Sequence, residues 1–181
     1  MSVERFEIEG PVLIKTRKFA DERGCFFESY NTQLLNEILG DQLEFVQDNI
    51  SVSKKGVIRG LHLQAPPYAQ GKLVRVLKGS VIDVAVDIRK SSPTYGKYVR
   101  VFLSAENGDQ FWIPEGFAHG FSALEEDTIF SYKCTNYYHP ASEKGIRFDD
   151  PDLNIDWEIN EPIVNQKDYS NSFFATFDSP F

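Results

Sequence analysis

Hydrophobic and polar residues alternate with a period of two over residues 81–88. Ile82, Val84, Val86 and Ile88 fall on one face, and Val81, Asp83, Ala85 and Asp87 on the other. That is the signature of a strand with one strongly apolar face and one mixed face. Residues 98–103 repeat it, with Val99, Val101 and Leu103 on one side. Residues 110–113 and 128–132 are further strand candidates. Turn-forming clusters at 78–80, 92–94, 107–109 and 114–116 separate them. Many short strands at regular turn spacing predict an all-β sandwich or barrel of jelly-roll type. One helix is predicted over residues 32–39, where Leu34, Leu35, Ile38 and Leu39 recur at helical spacing and Gly40 stops the run. The segment after Pro151 is rich in Asp, Asn and Pro and is expected to wrap in short pieces over the sheets.

Composition sharpens the class. A chain of 181 residues, 41% hydrophobic and 14% aromatic, fits a single domain over residues 1–181 with a sizeable core. The formal net charge of −8 argues against nucleic acid as a partner, since non-specific binding needs a basic surface. It leaves room for an anionic ligand in a locally cationic pocket. The first ten residues carry no apolar core of a leader, and no run approaches the ~20 apolar residues of a membrane helix. A soluble cytoplasmic protein with no membrane contact is expected. Cys25 and Cys134 are far apart and fit two buried thiols better than a disulfide or a metal site.

The chain has three histidines. His139, in a Tyr-Tyr-His-Pro turn, reads as structural. His62 lies in Arg59-Gly60-Leu61-His62-Leu63-Gln64, and His119 in Pro114-Glu115-Gly116-Phe117-Ala118-His119. Cupin jelly rolls hold a divalent ion with a His-x-His pair, a following Glu, and a later His in a Pro-x-Gly-x-x-His loop. The later loop is present. The first is broken, because position 64 is Gln and no Glu follows before Gly71. Two imidazoles and an amide make a poor ligand set, so no metal is expected and both imidazoles remain available as acid, base or donor. A base histidine needs a carboxylate behind it, and Asp83, Asp87 and Asp168 all remain open on spacing. Cations and amides recur at Arg23, Gln47, Asn49, Arg59, Lys72, Arg75 and Lys167. Arg59 stands out. It lies three positions before His62, an odd offset, so sharing a face demands a bend, which Gly60 can supply.

Taken together, these segments resemble one family. The matching stretches are Asp21-Glu22-Arg23-Gly24 with Phe27-Glu28, Gln47-Asp48-Asn49, residues 55–64, 70–76 and 83–89. They continue with 112–121, Tyr132-Lys133-Cys134, Gly145-Ile146-Arg147 and Asp149-Asp150-Pro151. In this order they resemble the dTDP-4-dehydrorhamnose 3,5-epimerases. The resemblance implies an all-β, cupin-type jelly-roll barrel with a few short helices, no cofactor, no metal, and a homodimer that exchanges strands. It implies a nucleotide-sugar substrate, dTDP-4-keto-6-deoxyglucose. It assigns His62 as the base, Asp168 as its carboxylate, Tyr132 as the acid on the opposite face, and Lys72 beside the C4 oxygen. Arg59 and His119 become donors around the sugar and phosphates. Arg23, Glu28, Gln47, Asp48, Asn49, Glu143 and Lys167 become nucleotide-side contacts, with Tyr138 stacking on thymine. Departures from the family pattern are Leu63, Glu125-Glu126 and Val164-Asn165. The competing readings are a C3-only epimerase, a ketoisomerase on a related sugar, a non-catalytic sugar-nucleotide binder and a metal-dependent oxygenase.

Overall fold

A computed structural model of the chain describes residues 2–40 and 42–181. The described residues form thirteen strands: β1 (Ser2–Arg5), β2 (Val12–Lys15), β3 (Phe19–Asp21), β4 (Gly24–Phe26), β5 (Gln47–Ser53), β6 (Ile58–Gln64), β7 (Lys72–Lys78), β8 (Ser80–Asp87), β9 (Tyr98–Ser104), β10 (Gln110–Ile113), β11 (Phe117–Ala123), β12 (Thr128–Cys134) and β13 (Glu143–Gly145). Two short helices accompany them, α1 (Thr32–Leu39) and α2 (Gln166–Tyr169). One sheet runs β1-β2-β10-β7-β12-β5 and the other β13-β6-β11-β8-β9, all antiparallel, while β3 and β4 form a separate hairpin.

The two sheets are not closed into a barrel, which corrects the expected geometry while keeping the jelly-roll class. Closure needs a backbone ladder across every pair of neighbouring edges. Between β6 and β5 a side chain bridges instead. The Arg59 guanidinium donates to Ser53 Oγ at 3.2 Å and to the Val52 carbonyl at 3.3 Å.

Strand β8 explains the layering. Its mixed face contributes Val81 and Ala85 to the core between the sheets, with Val99, Val101 and Leu103 of β9 and Phe111 and Phe130 of the opposite sheet. Its apolar face, Ile82, Val84, Val86 and Ile88, turns to the outside of its sheet. Left in water, those four side chains would forfeit roughly 6–12 kcal/mol, as much as a typical domain's whole stability. The C-terminal segment removes the problem. Leu153, Trp157, Phe174, Phe177 and Phe181 cover that face, and Trp157 Nε1 donates to the Phe148 carbonyl at 2.8 Å. The expected wrap is thus a second core. A third core forms where α1 packs Leu35 on Val12, Ile14, Leu73 and Trp112.

Helix α1 matches its predicted bounds. The Asn31 side chain accepts from Leu34 N–H, and Gly40 ends the helix in the left-handed region at φ 76°. Cys134 is buried and Cys25 is exposed, both as free thiols. The expectation of two buried thiols therefore fails for Cys25, because it sits on the β3–β4 hairpin with exposed residues all along both strands.

Candidate active site

Strand β6 carries the site because of a glycine. Its pairing with β11 matches His62 to His119 but Arg59 to Phe121, so the register slips between them. Gly60 sits in that slip at φ +142°, and a Cβ there would stand 2.6 Å from Gly120 Cα. Only a residue without a side chain allows the two strands to meet so closely. The slip does what the odd spacing required. Arg59 and His62 line one cleft of about 640 Å³ with Ser51, Lys72, His119, Phe121, Phe130, Tyr132 and Asn165.

Each imidazole in the cleft has its own carboxylate. His62 Nε2 lies 2.6 Å from Asp168 Oδ1, and Asp168 is fully buried. The second carboxylate oxygen accepts Gly60 N–H at 3.3 Å, and Asp168 N–H donates to Asn165 Oδ1 at 2.7 Å. The bulge, the α2 cap and the carboxylate therefore hold one another. His119 Nε2 sits 2.9 and 3.0 Å from the two oxygens of Asp83. Burial pushes His119 below its ordinary value and Asp83 above its own, driving both toward uncharged forms against their mutual attraction. Asp87, the third candidate, lies outside the cleft. Its buried carboxylate binds Arg89, Ser92 and Thr94.

The facing wall belongs to the other sheet. Lys72 enters from β7 and Tyr132 from β12. Burial lowers the Lys72 ammonium below its ordinary lysine value, against the pull of Cys134, Asp83 and Glu143. Burial raises the Tyr132 phenol. Lys72 forms no ion pair among the described residues, so its charge faces a cleft rather than a fixed partner.

A second opening of about 420 Å³ shares His62, Lys72 and Tyr132 and continues past Gln47, Asn49, Gln70, Cys134, Tyr138 and Glu143. Its polar groups are linked. Gln47 Nε2 donates to Asn49 Oδ1 at 3.0 Å, and Gln47 Oε1 accepts Tyr138 N–H at 2.9 Å. Tyr138 Oη and Lys167 Nζ both reach Glu143 Oε2 at 2.6 Å. Burial pushes Glu143 up, and these two donors outweigh it and hold the carboxylate below its ordinary value.

Three expected residues are not brought to the cleft. Asp48 faces outward on β5 and pairs with Lys133 at 2.9 Å, because strand alternation that turns Gln47 and Asn49 inward turns Asp48 out. Arg23 is 85% exposed at the β3–β4 turn and pairs with Asp21. Glu28 is exposed just beyond that hairpin. His139 is structural as read: its ring stacks on Tyr68 at 3.9 Å and its Nδ1 lies 3.0 Å from Ser142 Oγ. Gln64, at the broken metal position, is buried and accepts His139 N–H at 3.1 Å. Among the described residues no group of three His, Cys, Asp or Glu side chains is placed to hold a metal ion. Sequence reasoning missed Ser51, Cys134, Phe121, Phe130 and Asn165 as cleft residues. The alternation Gln47-x-Asn49-x-Ser51-x-Ser53 was the signal for the first of these.

Fold and cleft together define a jelly roll with a histidine–carboxylate pair, a lysine and a tyrosine set around a cleft between its two sheets. The chain belongs to the dTDP-4-dehydrorhamnose 3,5-epimerase family, a family of isomerases, whose model matches residues 5–176. It is 52% identical over 178 residues to a dTDP-4-dehydrorhamnose 3,5-epimerase of Shigella flexneri, covering 98% of each chain. Among solved structures it resembles the dTDP-4-dehydrorhamnose 3,5-epimerase of Elizabethkingia anophelis, with a TM-score of 0.94, 46% identity and 99% of each chain covered. It equally resembles a dTDP-6-deoxy-D-glucose-3,5-epimerase of Legionella pneumophila in complex with dTDP-4-keto-L-rhamnose. There the TM-score is 0.94 and the identity 48%, covering 98% of this chain and 94% of that one.

Proposed function

We infer that the chain inverts C3 and C5 of dTDP-4-keto-6-deoxy-D-glucose, giving dTDP-4-keto-L-rhamnose. Family membership supports the substrate. The observation that supports the chemistry is His62 on one sheet, held by Asp168 of α2 and faced across the cleft by Tyr132 and Lys72 on the other sheet.

The 4-keto group acidifies the protons on C3 and C5. Asp168 engages Nε2 of His62, which leaves Nδ1 to take such a proton, and the carboxylate stabilises the imidazolium that forms. The electron pair moves into an enolate with its charge on O4. The Lys72 ammonium is the group to meet that charge. Inversion then needs a proton from the opposite face. Tyr132 stands on the opposite wall with a phenol raised by burial, and so fully protonated at neutral pH. The imidazolium then gives its proton to water and the phenolate regains one from it, and since no electrons are gained or lost the cycle needs no redox cofactor.

The linked groups Gln47, Asn49, Tyr138, Glu143 and Lys167 hold the nucleotide end, and Arg59 and His119 hold the sugar and phosphates. The enzyme works as a cytoplasmic homodimer of single-domain subunits. Support for the dimer comes from exposed apolar residues, Phe26 (73%), Phe19, Ile50 and Val52, on the β3–β4 hairpin and the edge strand β5. No described helix is long and apolar enough to cross a membrane.

The test is product analysis by NMR with dTDP-4-keto-6-deoxyglucose. Conversion to the product inverted at both carbons supports the assignment. Inversion at C3 alone identifies the narrower epimerase, and unchanged substrate refutes both.

A further inference from the structure

The inward face of β5 is a stripe of polar side chains, Gln47, Asn49, Ser51 and Ser53, alternating with the exposed Asp48, Ile50 and Val52. An apolar core has no need of such a stripe, and each member should have a partner. Three of them do. Gln47 bonds Asn49 and the Tyr138 backbone, Asn49 also contacts Cys134 Sγ at 3.7 Å, and Ser53 accepts from Arg59. Ser51 is the exception. Its Oγ is buried and has no hydrogen-bond partner among the described residues. Two other buried side-chain polar atoms share that condition, on Thr16 and Asn171, and neither residue lines the cleft.

Position gives the vacancy its meaning. Ser51 pairs with Phe130 on β12, two residues along from the Asn49–Tyr132 pair. It therefore lies beyond Tyr132 from the Gln47 end, in the part of the cleft lined by Arg59, His119, Phe121 and Phe130, with His62, Lys72 and Tyr132 between it and the Gln47 opening. Phe121 and Phe130 stack there at 4.1 Å and supply an apolar wall. A hydroxyl beside an aromatic wall, on the same sheet as Tyr132 and Lys72 and facing the sheet that carries His62, suits a hexose that presents both C–H faces and hydroxyls. Only a rotation about the Cα–Cβ bond separates the staggered positions open to Oγ.

We propose that Ser51 is a specificity-determining residue whose hydroxyl hydrogen-bonds an oxygen of the hexose in the bound nucleotide sugar. The proposal rests on the substrate reading above and deepens it. No described protein group competes for this hydroxyl, so it is available to bond a ligand oxygen.

Ser51→Ala separates this role from a structural one. Removal of an unpartnered buried hydroxyl leaves Tm unchanged or slightly raised. Loss of one neutral hydrogen bond to substrate lowers kcat/KM about tenfold, mainly through KM. Binding measured by calorimetry needs no turnover, so it stands apart from the catalytic assignment. Affinity for dTDP-glucose should fall about tenfold while affinity for dTDP is unchanged. Unchanged dTDP-glucose affinity, an equal loss for dTDP, or a drop in Tm would each overturn the proposal. Intact binding effects with an inactive wild-type enzyme would instead strike the reaction assigned above and leave the Ser51 contact standing.

Discussion

Asp168→Asn isolates what the dyad does. The substitution keeps the volume of a fully buried side chain, and the backbone N–H of position 168 keeps its bond to Asn165 Oδ1. The asparagine oxygen still accepts from Gly60 N–H, which turns its NH2 toward His62 Nε2. An NH2 group facing Nε2 makes that nitrogen an acceptor, so the proton moves to Nδ1, the atom that must be bare to remove a substrate proton. The charge behind the imidazolium is lost as well. With about 4 Å between charge centres and an effective dielectric constant near 20, the lost attraction is about 4 kcal/mol. At about 1.4 kcal/mol per decade, kcat should fall on the order of a thousandfold. KM and the unfolding midpoint should change little, because the ring and helix keep their neighbours. The assay is the rate of solvent deuterium entry at C3 under saturating substrate. Exchange within tenfold of the unmodified enzyme would show that the carboxylate does not act on the base.

Further predictions follow the same geometry. Tyr132→Phe removes the opposite-face donor but not the base. Solvent exchange should persist while inversion slows at least a hundredfold, seen by comparing label with product in one NMR sample; equal slowing of both would contradict it. Gly60→Ala would place a Cβ 2.6 Å from Gly120 Cα at a backbone angle that side chains rarely adopt. It should cost about 3 kcal/mol in a denaturant titration, and a stable variant would show that the strands can part. Burial pushes the Asp87 carboxyl up, but bonds from Arg89, Ser92 and Thr94 prevail and hold it at about 2, against an ordinary 3.8. A lowered folded value gives stability that is complete above pH ~4 and lost as pH falls toward ~2. Asp87→Asn should therefore cost on the order of 2 kcal/mol at pH 7, with the gap closing in acid.

Local pattern was legible wherever the cause was local. The α1 bounds follow from leucine spacing and Gly40, and the two faces of β8 follow from alternation. The need for a covering tail was visible because a strand apolar on one side and half-apolar on the other must be buried twice. Long-range pairing was not legible. Asp83, Asp87 and Asp168 are equivalent on spacing, and what separates them is which strand meets which: β8 lies beside β11, so Asp83 meets His119, while α2 returns over β6 to set Asp168 against His62, 106 positions away. The open edges of the two sheets were missed for a related reason, since nothing in the alternation says that the Arg59 side chain takes the place of a ladder. Asp48 turns away from the cleft that Gln47 and Asn49 face because a strand turns its middle member outward, a consequence of the alternation within β5.

The central claim is that His62, held by Asp168, removes protons flanking a 4-keto group. Incubation of the enzyme and of His62→Ala with dTDP-4-keto-6-deoxyglucose in deuterated water tests it most directly. Label should enter at both C3 and C5 with the unmodified enzyme, and at a rate lower by at least a thousandfold in the variant, with affinity for dTDP kept. Label entering at a near-normal rate in the variant would contradict it.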